Sequence, residues 1–124
     1  MRTVNVGFIG FGFIGKVHAY GYVNLPLFYD PPPVKARLYA VCCSRPETAA
    51  KAKEQMGFEK AVTDYRELIA DPKVDVAHIC TPNALHREEL LAAMAAQKHI
   101  YCDKPLTATL AEARDVQQAL AAYK

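Results

Sequence analysis

A glycine-rich turn near the start of the chain is the stretch whose residue types most clearly suggest chemistry. Residues 10–15 follow the pattern Gly-x-Gly-x-x-Gly, after β-branched and apolar residues over 4–9 and before apolar residues at helical spacing. A strand that passes through such a turn into a helix is the context in which the pattern predicts dinucleotide binding. The residues of the turn that we expect to bind the dinucleotide are Gly10, Gly12, Phe13, Ile14 and Gly15.

Each glycine has a separate mechanical role in such a turn. Gly10 permits the tight turn, Gly12 lets the backbone approach a pyrophosphate, and Gly15 lets the helix pack closely on the strand. The helix N-terminus offers unpaired N–H groups and a partial positive charge to phosphate oxygens. The alternative is a turn that only joins two buried elements, but the order strand, turn, helix favours nucleotide binding.

The rest of the chain supplies the elements that must position this turn. Strand and helix patterns alternate along it, which indicates parallel strand pairing with right-handed crossovers. The predicted strands are 4–9, 37–43, 61–63, 74–80 and 100–102. The predicted helices are 14–24, 46–56, 65–70, 84–97 and one that begins at Thr107 or Thr109; the prolines of 26–33 form a rigid, extended connector. The predicted fold class is α/β, a doubly wound, mostly parallel, Rossmann-like sheet in a single domain over residues 1–124.

Polar residues and glycines mark several of the predicted helix ends. Ser44 is expected to cap the second helix in a capping box with Glu47. Asp64 and Asn83 are expected to cap the third and fourth helices. Gly57 is a natural residue to end the second helix.

Composition limits the class of protein. A chain of 124 residues with 52% hydrophobic and 23% charged residues is typical of a folded globular domain. A net charge of +2 without a basic run gives no reason to expect nucleic acid or an anionic membrane as a partner. No stretch approaches the ~20 apolar residues of a membrane span. We expect a cytoplasmic protein.

Cysteine placement gives an expectation about redox state and metals. The chain contains no C-x-x-C pair and no histidine at zinc-like spacing from a cysteine. The four cysteines lie in or at the ends of predicted strands: Cys42, Cys43, Cys80 and Cys102. We expect reduced core thiols and no metal site.

Three histidines fall in or beside predicted elements without a clear chemical partner. His78 lies inside the fourth predicted strand, so we expect a buried, neutral imidazole there. His18 and His99 are expected to serve packing or capping.

Three motifs occur in order along the chain, at spacings that agree with the predicted elements. They are the glycine turn with His18 three residues on, Thr81-Pro82-Asn83-x-x-His86, and Asp103-Lys104-Pro105. Together they resemble the N-terminal domain of the Gfo/Idh/MocA oxidoreductase family, over essentially the whole chain. The resemblance implies NAD(P)-dependent hydride transfer to or from a hydroxyl-bearing carbon of a sugar, a polyol or a related compound.

The resemblance also assigns a role to the third motif. Lys104 would be catalytic and lie near the nicotinamide and the substrate, where its ammonium polarises or orients the reacting oxygen. The alternative for Lys104 is a surface residue in a strand-to-helix loop. Asp103 stands where the family usually has Glu, so no specific hydrogen bond is carried over. Asp103 and Pro105 are expected beside the cofactor, with a cis peptide bond before Pro105.

The second motif leaves the carboxyl end of the fourth predicted strand, which is where open α/β sheets bind ligands. By resemblance, Thr81, Pro82 and Asn83 line the nicotinamide half of the pocket, and Asn83 can also be a helix cap. For His86 two interpretations stay open: proximity to cofactor or substrate, or a first-turn helix residue.

The end of the second predicted strand bears on the choice between NADP and NAD. NAD-specific sites usually place a carboxylate there, and no acidic residue occurs before Glu47. Ser44 can donate to a 2′-phosphate, and Arg45 can pair with it or stack on adenine. This favours NADP(H), unless Ser44 is only a cap and Arg45 only a solvated residue.

The resemblance further implies a second domain that would bind the small-molecule substrate and carry out proton transfer. We therefore expect a dinucleotide-binding fragment that is inactive alone, with any homo-oligomer formed by the full-length protein. One alternative is a non-catalytic module that senses dinucleotides. Another is an interaction domain that has lost its ligand, which the intact glycines and Lys104 disfavour.

Overall fold

A central sheet of five parallel strands, with helices on both faces, organises the chain. The computed structural model describes all 124 residues. The strands are β1 (Thr3–Ile9), β2 (Lys35–Cys42), β3 (Lys60–Val62), β4 (Val76–Ile79) and β5 (His99–Cys102). The helices are α1 (Phe13–Phe28), α2 (Pro46–Met56), α3 (Tyr65–Ala70), α4 (His86–Ala95) and α5 (Leu110–Ala119), with single 3₁₀ turns at Asn83–Leu85 and Leu120–Ala122. The predicted doubly wound α/β class is confirmed.

The strand order places a topological switch point at the first strand. The order across the sheet is β3-β2-β1-β4-β5, so β1 pairs with β2 on one side and with β4 on the other. The crossover from β1 through α1 leads to β2 on one side of β1, and the later crossover from β3 through α3 leads to β4 on the other side. In open α/β sheets a crevice for ligands forms at this point, outside the carboxyl ends of the strands.

Two apolar cores cover the two faces of the sheet. Phe8 and Ile9 are neighbours on β1, both at most 1% exposed, and they belong to different cores. Phe8 packs with side chains of α1 and α2, whereas Ile9 packs with side chains of α3, α4 and α5. Burial on both faces explains why β1 is a nearly continuous apolar run, as central parallel strands are. The edge that carries the glycine turn is therefore rigidly supported.

The first helix is longer than the sequence pattern predicted. It runs through Pro26 to Phe28 and closes with a hydrogen bond from the Tyr29 N–H to the Leu25 carbonyl at 3.2 Å. A proline so near the end of a helix removes one donor but keeps a helical φ angle, so the last turn continues. The connector predicted over 26–33 is correspondingly shorter. No helix of the structure combines the length and the apolar character that crossing a membrane requires.

Three predicted helix ends are confirmed. Gly57 ends α2 with a left-handed φ of 74°. The Asp64 carboxylate accepts a hydrogen bond from the Arg66 N–H at 2.9 Å and caps α3. Of the two predicted starts for α5, Thr109 is the cap, and it forms a capping box with Glu112.

Two predicted caps are wrong. The N-cap of α2 is Arg45, so Ser44 lies one residue too early to reach the first-turn N–H groups, and no side chain caps α2. Asn83 begins a 3₁₀ turn, α4 begins only at His86, and neither helix start has a side-chain cap. The first error arises because the chain is still extended at Arg45, and the second because a 3₁₀ turn precedes α4.

Candidate dinucleotide-binding site

A cleft of ≈ 920 Å³ opens at the switch point, between the residues that follow β1, β2 and β4. This is the edge of the sheet where the topology predicts a ligand. Eight of the predicted site residues line it: Gly10, Gly12, Phe13, Ile14, Ser44, Thr81, Pro82 and Asp103. The other six do not: Gly15, Arg45, Asn83, His86, Lys104 and Pro105.

Gly10 lies where the carboxyl ends of β1, β2 and β4 meet. Its φ is +86°, and a Cβ there would lie 2.9 Å from the carbonyl carbon of Cys80 and from the N atom of Thr81. Its own N–H donates to the Cys42 carbonyl at 2.9 Å. A side chain at this position would meet backbone atoms that cannot move aside, so only glycine fits.

The other two glycines have different roles: Gly15 allows close packing of α1, and Gly12 leaves space for a ligand. A Cβ on Gly15 would lie 2.8 Å from the Gly10 carbonyl oxygen, so α1 packs against the turn as closely as the glycine allows. A Cβ on Gly12 would meet no atom within 4 Å, because this residue faces the open cleft. The first turn of α1 contains no acidic residue. The turn thus presents free N–H groups and a partial positive charge in an open cradle, which fits the pyrophosphate of a dinucleotide.

The part of the cleft beside the end of β2, which we name the β2 end, is exposed. Ser44 lines the cleft, whereas Arg45 lines an adjoining pocket of ≈ 420 Å³ together with Lys16 and Lys51. The Arg45 Nε lies 3.6 Å from a Glu47 carboxylate oxygen, and the two side chains are 72% and 69% exposed. An ion pair with this much solvent contributes little to stability, so the guanidinium is free to turn toward a ligand.

The loop after β3 and the first residues of α3 also line the cleft, and the sequence interpretation did not include them. Thr63, Asp64, Tyr65 and Arg66 follow a strand that ends at the same edge of the sheet. That topological position was the available signal, because all parallel strands of a sheet end at the same edge.

The opposite part of the cleft, which we name the β4–β5 end, is built on buried polar groups. The Thr81 hydroxyl donates to the Glu89 carboxylate at 2.5 Å, and the Glu89 side chain is buried. Burial raises the pKa of Glu89, while the Thr81 hydrogen bond and the charge of His86 act in the opposite direction. The sequence interpretation missed Glu89. The sequence feature that could have indicated Glu89 is its helical spacing from His86, Leu90 and Ala93, which places its carboxylate on the buried face of α4.

His86 lies beneath the cleft, not in its wall. It is 1% exposed, and its Nε2 lies 2.8 Å from the Thr81 carbonyl oxygen. Its Nδ1 lies 3.0 Å from the Pro105 carbonyl oxygen and 3.1 Å from that of Leu106. Of the two interpretations left open by the sequence, the structure supports a first-turn helix residue, and one that connects the second and third motifs.

The third motif follows β5 at the edge of the cleft. Asp103 lines the cleft, and its N–H donates to the Ile79 carbonyl at 3.0 Å. Lys104 is exposed, and its ammonium makes no hydrogen bond or ion pair within the chain. The Lys104–Pro105 peptide bond is cis, which confirms that prediction.

His78 is a buried imidazole, as predicted, on the α1 side of β4. Its ring stacks between Phe8 and Tyr101 at 4.4 Å from each, and its Nδ1 lies 3.1 Å from the Tyr22 hydroxyl. Burial, followed by the nearby His18 ring, lowers the pKa of His78 to about 4. The ring is therefore neutral at physiological pH.

The His18 and Cys80 side chains meet His78 in a small cluster. The two ring nitrogens and the Cys80 sulfur lie within 4.8 Å of one another. The His18 Nδ1 and His78 Nε2 atoms are 2.8 Å apart, whereas two nitrogens on one tetrahedral zinc ion stand about 3.3 Å apart. The separation fits a hydrogen bond between two imidazoles. His18 therefore packs and bonds as predicted, but His99 is exposed at the start of an edge strand and makes no side-chain hydrogen bond.

All four cysteines are free thiols, as predicted. Burial raises the pKa of Cys42 and of Cys80 to about 12, and that of Cys102 to about 11. Thiols with such pKa values stay protonated and unreactive.

Comparison with known proteins places the whole chain in one group. The sequence profile of the Gfo/Idh/MocA group, described as an oxidoreductase family with an NAD-binding Rossmann fold, matches residues 4–124. A levoglucosan dehydrogenase from Pseudarthrobacter phenanthrenivorans is 42% identical over 120 residues, which make up 97% of this chain and 31% of that protein. A myo-inositol 2-dehydrogenase from Thermotoga maritima is 39% identical over 109 residues, which make up 88% of this chain and 30% of that protein.

The fold agrees with the sequence comparison. A solved structure of levoglucosan dehydrogenase in complex with NADH and L-sorbose matches with a TM-score of 0.94 and 41% identity. The match covers 99% of this chain and 33% of that one. The chain therefore spans about a third of the length of these relatives.

Proposed function

This chain belongs to the Gfo/Idh/MocA oxidoreductase family, and on that basis we propose that residues 1–124 are the NAD(P)(H)-binding domain of a longer dehydrogenase. The domain is an NAD-binding Rossmann domain of that family. The observation that carries the proposal is the open cradle at Gly12, in front of the N-terminus of α1 and at the switch point of the sheet.

Each part of the dinucleotide has residues that suit it. The N–H groups of Gly12, Phe13 and Ile14 hold the pyrophosphate at the start of α1. The adenosine lies toward the β2 end of the cleft. The nicotinamide lies toward the β4–β5 end, against Thr81 and Pro82.

Lys104 carries the proposed catalytic role. A bound nicotinamide supplies or accepts the hydride. The free ammonium of Lys104, one residue beyond the cleft-lining Asp103, orients the reacting oxygen and stabilises the negative charge that develops on it. Hydride transfer also needs the substrate held at near-attack distance. We propose that a second domain of the longer protein supplies the facing wall, and that this chain alone does not turn over substrate.

The substrate class is proposed from the relatives. The proteins matched are named for levoglucosan and for myo-inositol, both of which carry several hydroxyl groups. We propose a sugar, a polyol or a related compound as the substrate. The four free thiols favour a reducing compartment, which supports the cytoplasm as the location. Any homo-oligomer is assigned to the longer protein.

The choice of dinucleotide is a separate proposal, which rests on the β2 end. Ser44 can donate to a 2′-phosphate, the Arg45 guanidinium is free to pair with it, and no carboxylate precedes Glu47 to repel it. These residues favour NADP(H). The structure of levoglucosan dehydrogenase contains NADH, so NAD(H) is the alternative that a direct titration must address.

The test is a calorimetric titration of the chain with NADH and NADPH, using two glycine variants. Gly12→Ala and Gly21→Ala both place a methyl group where no atom lies within 4 Å, so neither should disturb the fold. Only the methyl group at position 12 stands in the phosphate cradle. We expect Gly12→Ala to weaken binding of the preferred dinucleotide at least about tenfold, because the pyrophosphate hydrogen bonds lengthen.

Gly21→Ala is the matched control, and it should bind like the parent chain. Equal binding by the Gly12→Ala and Gly21→Ala chains would show that the pyrophosphate does not bind at the glycine turn, and it would overturn the proposed site. Absence of binding by a parent chain that is folded by circular dichroism would overturn the proposal for this chain on its own. A non-catalytic sensor of dinucleotides would also bind them. An activity assay of the longer protein distinguishes such a sensor from a dehydrogenase.

A further inference from the structure

The ring of His86 stands between carbonyl oxygens on both sides. Its Nε2 is 2.8 Å from the Thr81 oxygen, and its Nδ1 is 3.0 Å from the Pro105 oxygen and 3.1 Å from the Leu106 oxygen. Carbonyl oxygens only accept hydrogen bonds. A neutral imidazole has one donor and one acceptor, whereas an imidazolium has two donors. Only the imidazolium satisfies all of these contacts.

We propose that His86 is held as a doubly protonated imidazolium, and that it ties the Thr81 turn to the loop of Lys104 so that both stand correctly around the nicotinamide. The inference rests on the proposed function for its consequence, but the protonation state can be tested without any ligand. His86 acts here as a positioning residue, because it contacts neither the cleft nor the reacting groups.

A neutral ring would leave an unfavourable contact in a buried place. The one alternative donor nearby is the Cys102 thiol, whose sulfur lies 3.5 Å from Nδ1. If that thiol donated to Nδ1, the nitrogen lone pair would still face two carbonyl oxygens at 3.0 and 3.1 Å. The thiol also has an acceptor of its own in the Asp103 carbonyl, at 3.5 Å. The geometry therefore favours a proton on each ring nitrogen.

The surrounding charges can support a buried cation. Within α4, the buried Glu89 stands one turn from His86, and its carboxylate is held by the Thr81 hydroxyl. The negative charge of Glu89 thus balances the positive charge of His86, although the two side chains do not contact each other directly. The N-terminus of α4 opposes a cation, but it carries two acidic residues in its first turn, Glu88 and Glu89, which offset this. From β5, the titratable group that contacts His86 is the Cys102 thiol, which burial and the nearby Glu89 and Asp103 carboxylates keep protonated.

The two loops are tied through one residue on each side. Thr81 is held twice, through its carbonyl by His86 and through its hydroxyl by Glu89. Pro105 and Leu106 directly follow Lys104. Loss of one proton from His86 would release one side of this connection, so the Thr81 turn and the Lys104 loop could move apart. Dinucleotide binding should then weaken at the β4–β5 end.

The direct test is nitrogen NMR of the histidine rings in the ligand-free chain. We expect the His86 spectrum to show two protonated ring nitrogens at about pH 7, while His78 shows one protonated and one bare nitrogen. His86→Gln removes the signal and assigns it. Glu89→Gln should lower the fraction of doubly protonated His86 at the same pH. A bare ring nitrogen on His86 at that pH in the parent chain would overturn the proposal.

The second test measures NADH and NADPH binding as a function of pH. In the parent chain, affinity should fall about tenfold as pH rises through the range in which NMR shows His86 losing a proton, because one charged hydrogen bond is lost. His86→Gln should bind weakly without that pH dependence. His99→Gln, which changes an exposed histidine with no side-chain bond, should retain it. A merely structural His86 would weaken binding in His86→Gln and leave the parent's affinity flat over the same pH range. That result would overturn the positioning role.

Failure of this inference is separable from failure of the proposed function. A chain that binds dinucleotide with a neutral His86 would refute only the imidazolium. A chain with an imidazolium at His86 that binds no dinucleotide would refute the site and leave the protonation state established.

Discussion

The two ends of the cleft are built on opposite principles. At the β2 end, Ser44 and Arg45 are exposed, and the nearest ion pair of Arg45 spans 3.6 Å in solvent. At the β4–β5 end, the wall residue Thr81 is tied by two hydrogen bonds, of 2.5 and 2.8 Å, to buried side chains of α4. One end is adjustable and the other is fixed.

The difference follows from what each end must do in the proposed function. Adenosine binding contributes affinity, and a mobile cation at the surface can supply that by turning toward a phosphate. Hydride transfer depends on the orientation of reacting atoms, and small displacements lower the rate steeply. Buried hydrogen-bonded side chains have few alternative positions, so they suit the end where orientation matters. The comparison predicts that changes at the buried end lower stability, whereas changes at the β2 end alter ligand preference without lowering stability.

The largest expected effect is the pH dependence contributed by His78, which is buried within β4. Its pKa is lowered from 6.5 to about 4 in the folded chain. The unfolded chain therefore binds the proton first as pH falls, and stability is lost as pH drops from 6.5 toward 4. The loss should reach about 2–3 kcal/mol. Urea unfolding at a series of pH values measures it.

Variants isolate this contribution from the carboxylates that titrate in the same range. His78→Gln should flatten the slope of unfolding free energy between pH 6.5 and 4. His99→Gln changes an exposed histidine and should keep the parent's slope. A parent chain and a His78→Gln chain with identical slopes would show that the imidazole is not held neutral by the fold.

A smaller loss of stability is expected at the wall of the β4–β5 end. Thr81→Val keeps the shape of the side chain but removes the hydroxyl that donates to the buried Glu89 carboxylate. A buried charged acceptor left without a donor costs about 2 kcal/mol. Chemical denaturation at neutral pH measures the change in unfolding free energy.

The matched control for that change is Thr107→Val. Its hydroxyl donates to the Thr109 carbonyl at 2.8 Å on the exposed side of the chain, where water can replace the lost bond. Its cost should stay below about 1 kcal/mol. Equal losses from the Thr81 and Thr107 variants would mean that the Thr81–Glu89 bond is no more than a surface contact.

The glycine turn could be predicted from the sequence, whereas the adjustable end could be predicted only in part: Ser44 lines the cleft, but Arg45 does not, and the segment after β3 was missed. Gly10 and Gly15 occupy positions where a Cβ would approach backbone atoms to 2.9 and 2.8 Å, and such backbone constraints appear in a sequence as glycine. The parallel sheet followed from the alternation of apolar strands with helices. Patterns of this kind depend on residues that are close in the sequence, so a single sequence is enough to detect them.

The fixed end could be predicted only in part. Thr81 was predicted from its place at the end of a strand and from the family resemblance, and Asp103 from the resemblance, but Glu89 was not predicted, since a carboxylate in a helix usually faces solvent. The role of His86 depends on carbonyls that lie 5, 19 and 20 residues away. The caps at Ser44 and Asn83 were wrong because the exact start of a helix depends on the strand and turn before it. Contacts between distant segments require the fold.

The smallest effect on stability, and the sharpest test of the comparison, is expected from Arg45→Asp at the β2 end. The side chain is 72% exposed and stands at the uncapped N-cap of α2, where Asp can accept a first-turn hydrogen bond, so unfolding free energy should hold or rise by at most about 1 kcal/mol. NADPH affinity should nevertheless fall about tenfold, because a carboxylate replaces the cation that pairs with the 2′-phosphate, whereas NADH affinity should hold or rise. Arg114→Asp makes the same charge change on the exposed side of α5 and controls for net charge. If both variants lower NADPH affinity equally, the long-range field of the protein sets the preference. If neither does, the β2 end does not read the 2′-phosphate, and the adjustable end of the cleft serves NAD(H).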